Sequence, residues 1–371
     1  MDGFALEQIV AQFDFCGRFV RADRCDTGHI NDTYIVVTAS PEGRSRRYIL
    51  QRINHYVFKS PQDVMRNIQR VTEHLREKVL QVGGDPEREI LNLVPTRDGT
   101  LLYTSDSGEY WRAYLYVEGA QSYEAVEEPS HFHSAGEAFG RFQSLLSDFP
   151  AETLIETIPK FHDTPSRFAD LLHAVELDQV NRAGEARAEI EFVQRRGEET
   201  PVIVDLLEQR QLPLRVTHND TKLNNVLIDD ATNKGICVLD LDTVMPGSSL
   251  YDFGDAIRFG ASAAAEDEQD LSKVWLDLDL YRHFTRGYFT YAREFLTPKE
   301  VQLLPFSAKL ITLEIGMRFL TDHLNGDVYF RIHRPGHNLD RARAQFRLAL
   351  DMERKVDEMH AIVEQELKHI A

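Results

Sequence analysis

Apolar and polar residues alternate along the first third of the chain with the two-residue period of β-strands. The runs "TYIVVTAS" and "RRYILQRI" predict two strands, and the turn-like "SPEGRS" between them joins the strands. The pattern then changes to a helical period, with Val64, Ile68, Val71 and Leu75 on one apolar stripe. Further β-rich runs follow as far as residue 118. This part of the chain therefore predicts an antiparallel sheet with one prominent helix.

The pattern changes again at the polar segment "EGAQSYEAVEEPS", beyond which helical periods dominate. Helices are predicted at 131–148, 164–176, 178–197 and 200–210, and again from 270 to the end, with a long final segment at 338–370. A β-rich island at 213–241 lies between them. A β-rich first part followed by a helical second part predicts an α+β fold of two lobes with a cleft between them. We expect an N-terminal lobe at 1–118 and a C-terminal lobe at 119–371.

Composition and charge exclude several classes of partner. The chain has 371 residues, of which 42% are hydrophobic, and its formal net charge is −18. An excess of negative charge argues against binding to nucleic acid or to an anionic membrane surface. No run of ~18 apolar residues predicts a transmembrane helix, and the first residues lack the features of a secretory signal. Three cysteines without a close pair are typical of a cytoplasmic protein without a zinc site.

The most informative motif is "VTHNDTKLNNVLIDD", which contains His218, Asp220 and Asn225 in the pattern H-x-D-x-x-x-x-N. Phosphoryl-transfer enzymes of the kinase class use this spacing, in which the Asp accepts the proton of the attacking hydroxyl. The Asn binds the magnesium ion that bridges the phosphates. His218 is expected to hold the loop and to take no part in proton transfer.

A second metal ligand has two candidates, Asp240 and the Asp252 of a D-F-G triplet. The segment after Asn225 predicts strand, turn and strand, and such a hairpin would return Asp240 to the side of Asn225. Asp252 is separated from that hairpin by a Pro-Gly turn and opens the next predicted helix. We therefore predict Asn225 and Asp240 as the ligands of Mg²⁺, and Asp252 as a helix cap or a brace of the loop. Asp242 is either a second, weaker metal contact or a brace.

The chain resembles the aminoglycoside phosphotransferase superfamily, the small-molecule relatives of protein kinases, and within it the N-acetylhexosamine 1-kinases. The resemblance rests on "RVTHNDTKLNNVLID", "CVLDLDTVMPGSSLYDFGDAIRFGASAAAED", "GMRFLTDHLNGDVYF" and "GHINDTYIV". It implies a two-lobed protein-kinase-like fold with ATP and Mg²⁺ as cofactors. It also implies phosphorylation of the anomeric hydroxyl of an N-acetylated hexose. At the kinase spacing Lys222 would neutralise the transferring phosphate, whereas the plain alternative is a solvated lysine.

The nucleotide site is expected in the N-terminal lobe. The segment "DTGHINDTYIV", with Gly28, His29 and Asn31, is the candidate hairpin over the phosphates, and an ordinary polar hairpin is the alternative. The third strand carries Gln51 where these enzymes place a phosphate-binding lysine. Either the neighbouring Arg52 supplies the cation or Gln51 contacts phosphate as a neutral group. Adenine should lie against "YLYVEG", where the segment from Tyr116 to Glu118 offers backbone groups.

The acceptor site is expected among the C-terminal helices. Arg318 and Asp322 are four residues apart on one helical face, where they form either a surface ion pair or a grip on sugar hydroxyls. The resemblance favours a substrate contact, and His337 and Asn338 are further candidates. Two other functions compete: a kinase of choline, homoserine or an aminoglycoside, and a catalytically silent pseudokinase, which the absent lysine suggests.

Overall fold

The computed structural model describes residues 3–25 and 30–369. Its N-terminal part is built on an antiparallel sheet with the strand order β1-β2-β3-β6-β4, in which β5 also pairs with β6. The elements of this part are α1 (Gly3–Val10), β1 (Arg18–Cys25), β2 (Asp32–Ala39), β3 (Ser45–Ile53), α2 (Pro61–Gln81), α3 (Pro86–Glu89), β4 (Leu93–Val94), β5 (Tyr103–Thr104) and β6 (Tyr110–Leu115). The predicted antiparallel sheet with one prominent helix is confirmed.

Helix α2 follows the predicted amphipathic pattern. All four residues of its apolar stripe, from Val64 to Leu75, are buried against the core. Pro61 opens the helix, where its missing N–H costs no hydrogen bond. The hydroxyl of Ser60, at the N-cap position, donates to Asp63 (2.7 Å) and caps no backbone N–H.

The C-terminal part is mostly helical and contains two small sheets. Its elements are β7 (Ala120–Gln121), α4 (Pro129–Leu145), α5 (Thr164–Leu177), α6 (Arg187–Gln194), α7 (Val202–Glu208), β8 (Arg215–Thr217), β9 (Val226–Asp229), β10 (Gly235–Val238), β11 (Met245–Gly247), α8 (Ser249–Gly260), α9 (Leu278–Ala292), α10 (Pro298–Leu324), α11 (His337–Arg354) and α12 (Val356–His369). One sheet has the order β10-β9-β7, and β8 pairs with β11 in the other. The predicted α+β arrangement is confirmed.

Two predicted helices differ from the observed ones. The helix expected at 178–197 is limited to α6, because Asp178 ends α5 in a left-handed conformation (φ 36°). Its carboxylate accepts the N–H groups of Arg182 and Ala183, which fixes a turn instead of a helix. The final segment is two helices, α11 and α12, which meet at Lys355.

Helix α4 packs against the hairpin of β9 and β10 and closely against α9. A Cβ atom at Gly136 would lie 2.4 Å from the carbonyl oxygen of Phe284, and one at Gly287 would lie 2.1 Å from that of His133. Only glycine permits this approach of the two backbones. The backbones of the two helices are therefore in close contact.

Two hydrophobic clusters make up the core. One fills the C-terminal part and includes the buried face of α2, and the other joins α1 to the sheet. The N-terminal sheet ends at Leu115, and β7 already pairs with β9 of the C-terminal part. The boundary at residue 118 stays a prediction. Among residues 3–25 and 30–369 no helix combines the length and the apolar character needed to cross a membrane.

Candidate active site

The hairpin of β9 and β10 brings Asn225 and Asp240 together, as the sequence predicts. The two strands are antiparallel, with Val226 opposite Val238. The N–H of Leu239 donates to the carbonyl oxygen of Asn225 (2.8 Å). The next residue, Asp240, has a left-handed backbone (φ 53°). Both candidate metal ligands therefore lie at the same end of one hairpin.

The loop at 218–225 carries the predicted base next to this hairpin. The amide nitrogen of Asn225 donates to the backbone oxygen of Asp220 (2.8 Å) and to its carboxylate (3.2 Å). The ammonium of Lys222 lies 2.7 Å from the other carboxylate oxygen of Asp220. The side chain of Asp220 is 27% exposed, which leaves it accessible from the cleft.

The charge of Asp220 is set by Lys222. Burial alone would raise the pKa of Asp220, but the nearby ammonium outweighs it and the pKa is lowered. Burial would likewise lower the pKa of Lys222, yet Asp220 and Asp255 hold it above its ordinary value. Near neutral pH both groups are therefore ionised. An ionised carboxylate in the cleft can accept a proton, and the ammonium beside it can interact with an anionic ligand.

The loop is held from below by His218 and by the first turns of α8. The Nε2 atom of His218 lies 2.7 Å from the carbonyl oxygen of Leu239, which ties the loop to the hairpin. The carboxylate of Asp252 accepts the backbone N–H groups of His218 (3.0 Å) and Asn219 (2.8 Å). It also accepts a bond from the side chain of Gln143 (2.6 Å). Asp252 is buried and braces the loop, as one of its two predicted roles requires.

The other predicted role of Asp252, as the cap of the helix, is wrong. Helix α8 begins one turn earlier, and the side chain of Ser248 accepts the N–H of Leu250 at the N-cap. A second brace, Asp255, was missed by the sequence analysis. Its carboxylate accepts the N–H of Thr221 (2.9 Å) and two bonds from Arg258. The three-residue spacing from Asp252, which places both on one helical face, was the signal that could have found it.

The surroundings of Asp240 suit a divalent cation. Neither its carboxylate nor the Oδ1 atom of Asn225 accepts a hydrogen bond in the described part of the chain. Loss of solvation by the surrounding protein, together with the negative charges of Asp242 and Asp220, raises the pKa of Asp240 to about 7. Carboxylate and amide oxygens are the hard ligands that Mg²⁺ prefers, with phosphate and water as the other ligands. Residues 3–25 and 30–369 hold no group of three His, Cys, Asp or Glu side chains arranged for a metal, so a cation here would rely on such additional ligands.

The predicted nucleotide residues are in part engaged with each other. Gly28 and His29 lie outside the described residues. The side chain of Asn31 donates to Asp242 (2.7 Å) and accepts the N–H of Asn54 (2.9 Å). Arg52 is ion-paired with Asp32 and Glu109.

Gln51 lies on the other face of β3, as strand alternation predicts. It donates to Thr33 (3.0 Å) and accepts two bonds from Arg112, a residue the sequence analysis did not single out. Arg112 also forms a buried ion pair with Asp242. No local pattern marks Arg112, because its role depends on the pairing of β3 with β6.

The segment from Tyr116 to Glu118 presents the backbone groups expected for an adenine edge. The N–H of Tyr116 donates to Arg47 (3.3 Å), and the carbonyl oxygen of Glu118 accepts a bond from Arg88 (2.6 Å). The carbonyl oxygen of Tyr116 and the N–H of Glu118 have no hydrogen-bond partner in the part of the chain that the structure describes. The guanidinium of Arg47 lies 4.0 Å from the centre of the Tyr116 ring and pairs with the Glu118 carboxylate.

Three of the four predicted acceptor residues brace a loop. The carboxylate of Asp322 is buried and accepts the N–H groups of Val328 (2.9 Å), Tyr329 (2.8 Å) and Phe330 (2.9 Å). The side chain of Asn338 donates to Asp322 (2.9 Å) and to Asp327. The ring of His337 contacts Asp267 (3.0 Å) and accepts the N–H of His333. The alternative of a surface ion pair between Asp322 and Arg318 is wrong, because Asp322 is buried in the loop network.

Arg318 is the fourth predicted acceptor residue, and its guanidinium has no hydrogen bond or ion pair among the residues that are described. Three aromatic rings surround it, with centres at 5.4 Å (Phe161), 6.0 Å (Tyr329) and 5.6 Å (Phe330). Phe161 precedes His162, which is anchored to the buried Glu314 of α10 (2.8 Å). An unpaired cation framed by aromatic rings has the donors and the apolar surface needed to bind a small polar molecule.

The comparisons with known proteins identify the family and the fold of the chain. The model of the family described as "APH: Phosphotransferase enzyme family" matches residues 22–288, well over half of the chain. A microcompartment-associated aminopropanol kinase is 16% identical over 97% of this chain and 99% of its own, with a TM-score of 0.57. The amicoumacin kinase hAmiN, in complex with AMP-PNP, Ca²⁺ and Ami, is 13% identical over 94% and 93% of the two chains, with a TM-score of 0.57.

A third similar structure is the GDP complex of aminoglycoside 2′-phosphotransferase-IIIa. It is 13% identical over 93% of this chain and 99% of its own, with a TM-score of 0.58. At these identities the likeness concerns the fold. The predicted two-lobed, protein-kinase-like α+β fold is confirmed.

The two aspartates at issue should respond in opposite ways to loss of their charge. We expect Asp252→Asn to lower the melting temperature, because the new amide group meets buried N–H donors that need an acceptor. Each unsatisfied group costs about 1–3 kcal/mol. Asp240→Asn should leave the melting temperature unchanged or raise it slightly, because it removes repulsion from Asp242 and Asp220 and because Asn tolerates a left-handed backbone. Thermal unfolding in EDTA measures both, and a lower melting temperature for Asp240→Asn alone would contradict this division of roles.

Proposed function

Because the chain belongs to the phosphotransferase enzyme family, we propose that it transfers the γ-phosphoryl group of ATP to the anomeric hydroxyl of an N-acetylhexosamine. N-Acetylglucosamine and N-acetylgalactosamine are the proposed acceptors, and the product is the sugar 1-phosphate. The observation that carries the transfer chemistry is the meeting of Asp220 with Asn225 and Asp240 at one end of the β9–β10 hairpin.

In the proposed mechanism Asp220 accepts the proton of the anomeric hydroxyl as the bond to phosphorus forms. Its lowered pKa keeps the carboxylate ionised before the reaction. Lys222, 2.7 Å away, offsets negative charge on the transferring phosphoryl group. Asn225 and Asp240 would hold Mg²⁺, which would supply positive charge to offset the charge that develops on the leaving ADP. The braces at Asp252 and Asp255 keep the base at a fixed distance from these two ligands.

The nucleotide would lie along the sheet. The free carbonyl oxygen of Tyr116 and the free N–H of Glu118 are two residues apart, which matches the acceptor and donor that an adenine edge requires. Asn31 closes the phosphate side of the site through its bond to Asp242. The predicted contacts of Gly28 and His29 with the phosphates remain part of this proposal. AMP-PNP in the structurally similar amicoumacin kinase supports ATP as the donor.

The acceptor would bind at Arg318. A sugar offers hydroxyl oxygens to the guanidinium donors and apolar C–H faces to the rings of Phe161, Tyr329 and Phe330. Asp322 then acts by holding two of these rings in place through the backbone N–H groups of their loop. We propose direct contact with the acceptor for Arg318, with Asp322, His337 and Asn338 in support.

A second candidate is the phosphorylation of another small hydroxyl compound, such as an amino alcohol or an aminoglycoside. The similar aminopropanol kinase and aminoglycoside phosphotransferase favour it. Against a cationic acceptor stands the charge of the Arg318 region, since burial and the charge of Arg318 together lower the pKa of Arg167 nearby. The silent pseudokinase is disfavoured because a base and two metal ligands come together. A cytoplasmic location, and the absence of nucleic-acid and membrane partners, stay predictions from the sequence.

Phosphorus NMR of the product tests the proposed reaction. The protein, ATP and Mg²⁺ are incubated in parallel with the two N-acetylhexosamines, glucose, choline, aminopropanol and an aminoglycoside. We expect an anomeric sugar phosphate from the N-acetylhexosamines alone. A phosphate on C6, or a product from choline, aminopropanol or the aminoglycoside in place of the sugars, would contradict the proposal and favour the second candidate.

The role of the base is tested by Asp220→Asn. This change keeps the shape of the side chain and removes the group that accepts the proton. We expect kcat to fall at least ~100-fold, the usual scale for loss of a general base, with nearly unchanged affinity for ATP. Steady-state kinetics and nucleotide titration measure both. A variant with a near-native kcat would refute the assignment.

The acceptor contact is tested by Arg318→Ala. Loss of the guanidinium donors should raise KM for the sugar at least ~10-fold, since hydrogen bonds to charged groups are worth about 1.5–3 kcal/mol, while KM for ATP stays within about twofold. Arg187→Ala, an exposed arginine paired with Glu191 on α6, is the matched control and should change neither. Equal changes in both KM values for Arg318→Ala would indicate a general structural effect and would exclude the acceptor contact.

A further inference from the structure

Three side chains, those of Thr33, Gln51 and Arg112, form a row across the N-terminal sheet. In the register of the strands Thr33 lies opposite Gln51, and Gln51 lies opposite Arg112. Directly opposed residues of antiparallel strands share a face, so the three side chains point the same way. The row is continuous, since Gln51 donates to Thr33 (3.0 Å) and accepts from Arg112 (3.0 and 2.9 Å).

Arg112 adds a positive charge to this row, which the neutral side chain of Gln51 does not provide. Its side chain is 1% exposed, and its Nη1 group forms an ion pair with Asp242. Burial alone would lower the pKa of Arg112, but the charge of Asp242 outweighs it and the pKa is raised. Arg52, which supplies the cation in one of the two alternatives left by the sequence, is on the opposite face and is paired with Asp32 and Glu109.

Both carboxylate oxygens of Asp242 are bonded to side chains of the N-terminal part. One carboxylate oxygen is paired with Arg112, and the other accepts the amide N–H of Asn31 (2.7 Å). The side chain is 2% exposed. A carboxylate held in this way braces the segment and leaves Asp240 as the carboxylate that faces the cleft.

The backbone of Asp240 is supported on both sides. Its left-handed conformation (φ 53°) is one that Asp and Asn adopt more readily than other residues with a side chain, and it persists when the surrounding structure fixes it. Upstream, Leu239 is bonded through its N–H to Asn225 (2.8 Å) and through its carbonyl oxygen to His218 (2.7 Å). Downstream, Asp242 is fixed by Arg112 and Asn31. Asp242 lies in the 3₁₀ turn Leu241–Thr243 that follows Asp240, and its bonds to Arg112 and Asn31 tie this turn to the N-terminal part.

We propose that Arg112 and Asp242 are positioning residues of the metal site, which hold Asp240 in register with Asn225. Arg112 lies on β6, a different strand from that of the absent lysine, and it would act on Asp240 through its ion pair with Asp242. This inference rests on the proposed function, because the metal and ATP belong to it. A partner that orients a metal ligand from behind changes metal affinity or activity about 10–100-fold when it is removed.

The free energy of folding does not by itself explain why a buried ion pair is present at this position. Two charges taken out of water lose their solvation, and an apolar or neutral replacement of a buried pair is often as stable or more stable. Removing one partner is strongly destabilising, because it leaves the other charge buried and alone. A positioning pair and a purely structural pair therefore differ in the double variant, where no charge is left unpaired.

The test compares Arg112→Met, Asp242→Asn and the double variant Arg112→Met/Asp242→Asn. A fluorescent ATP analogue is titrated with Mg²⁺ and with EDTA, without any acceptor, and thermal unfolding is recorded in parallel. We expect both single variants to lose stability and the double variant to recover most of it. In the double variant the tightening of nucleotide binding by Mg²⁺ should remain at least ~10-fold weaker than in the wild type.

The matched control is Arg196→Met/Glu353→Gln, which removes a bidentate ion pair (2.7 Å) between Arg196, just after α6, and Glu353 of α11, outside the residues assigned to catalysis or binding. It should keep the wild-type response to Mg²⁺. A double variant at Arg112 and Asp242 with the wild-type response would overturn the proposal and make the pair structural. Absence of Mg²⁺-dependent ATP binding in the wild type would contradict the proposed function itself, and the positioning role with it.

Discussion

The rest of the site depends on how the charges of three neighbouring carboxylates, those of Asp220, Asp240 and Asp242, are balanced. They lie close enough that the other two contribute to raising the pKa of Asp240 to about 7. Two of the three have a cation of their own, Lys222 for Asp220 and Arg112 for Asp242. Asp240 has no such partner in the described part of the chain. The protein thus leaves one carboxylate of the three to be neutralised from outside, which is the condition for binding a divalent cation.

The supports of this arrangement come from both parts of the fold. From the C-terminal part, α8 holds the 218–225 loop through Asp252 and Asp255, and α4 supports the hairpin that carries Asp240. From the N-terminal part, Asn31 and Arg112 hold Asp242. The segment from Asp240 to Asp242 is therefore one of the places at which the two parts meet, as are the ion pairs Arg88–Asp229 and Glu89–Arg141. A change in the position of the sheet would act on Asp242, two residues from the predicted metal ligand.

Structural features that depend on a local pattern of residues were predictable from the sequence. The strand, turn and strand after Asn225 were sufficient to foresee the hairpin, and alternation along β3 correctly separated Gln51 from Arg52. The cation beside the metal segment was beyond the sequence, because Arg112 is defined by the register of β6 against β3. Asp322 illustrates the same limit: its spacing from Arg318 is local, but its partners are backbone N–H groups in a loop six to eight residues further on. The helix expected at 178–197 is shorter, at Arg187–Gln194, because the side chain of Asp178 bonds to the backbone and forms a turn at the predicted start.

The position of the metal tests the central claim most directly. Mn²⁺ can replace Mg²⁺ in crystals of the protein with a non-hydrolysable ATP analogue, and its anomalous scattering locates it without reference to the protein density. We expect an ion bound by oxygens of Asn225 and Asp240, with Asp242 still paired to Arg112. An ion bound by Asp252, or by Asp242 after its separation from Arg112, would contradict the account.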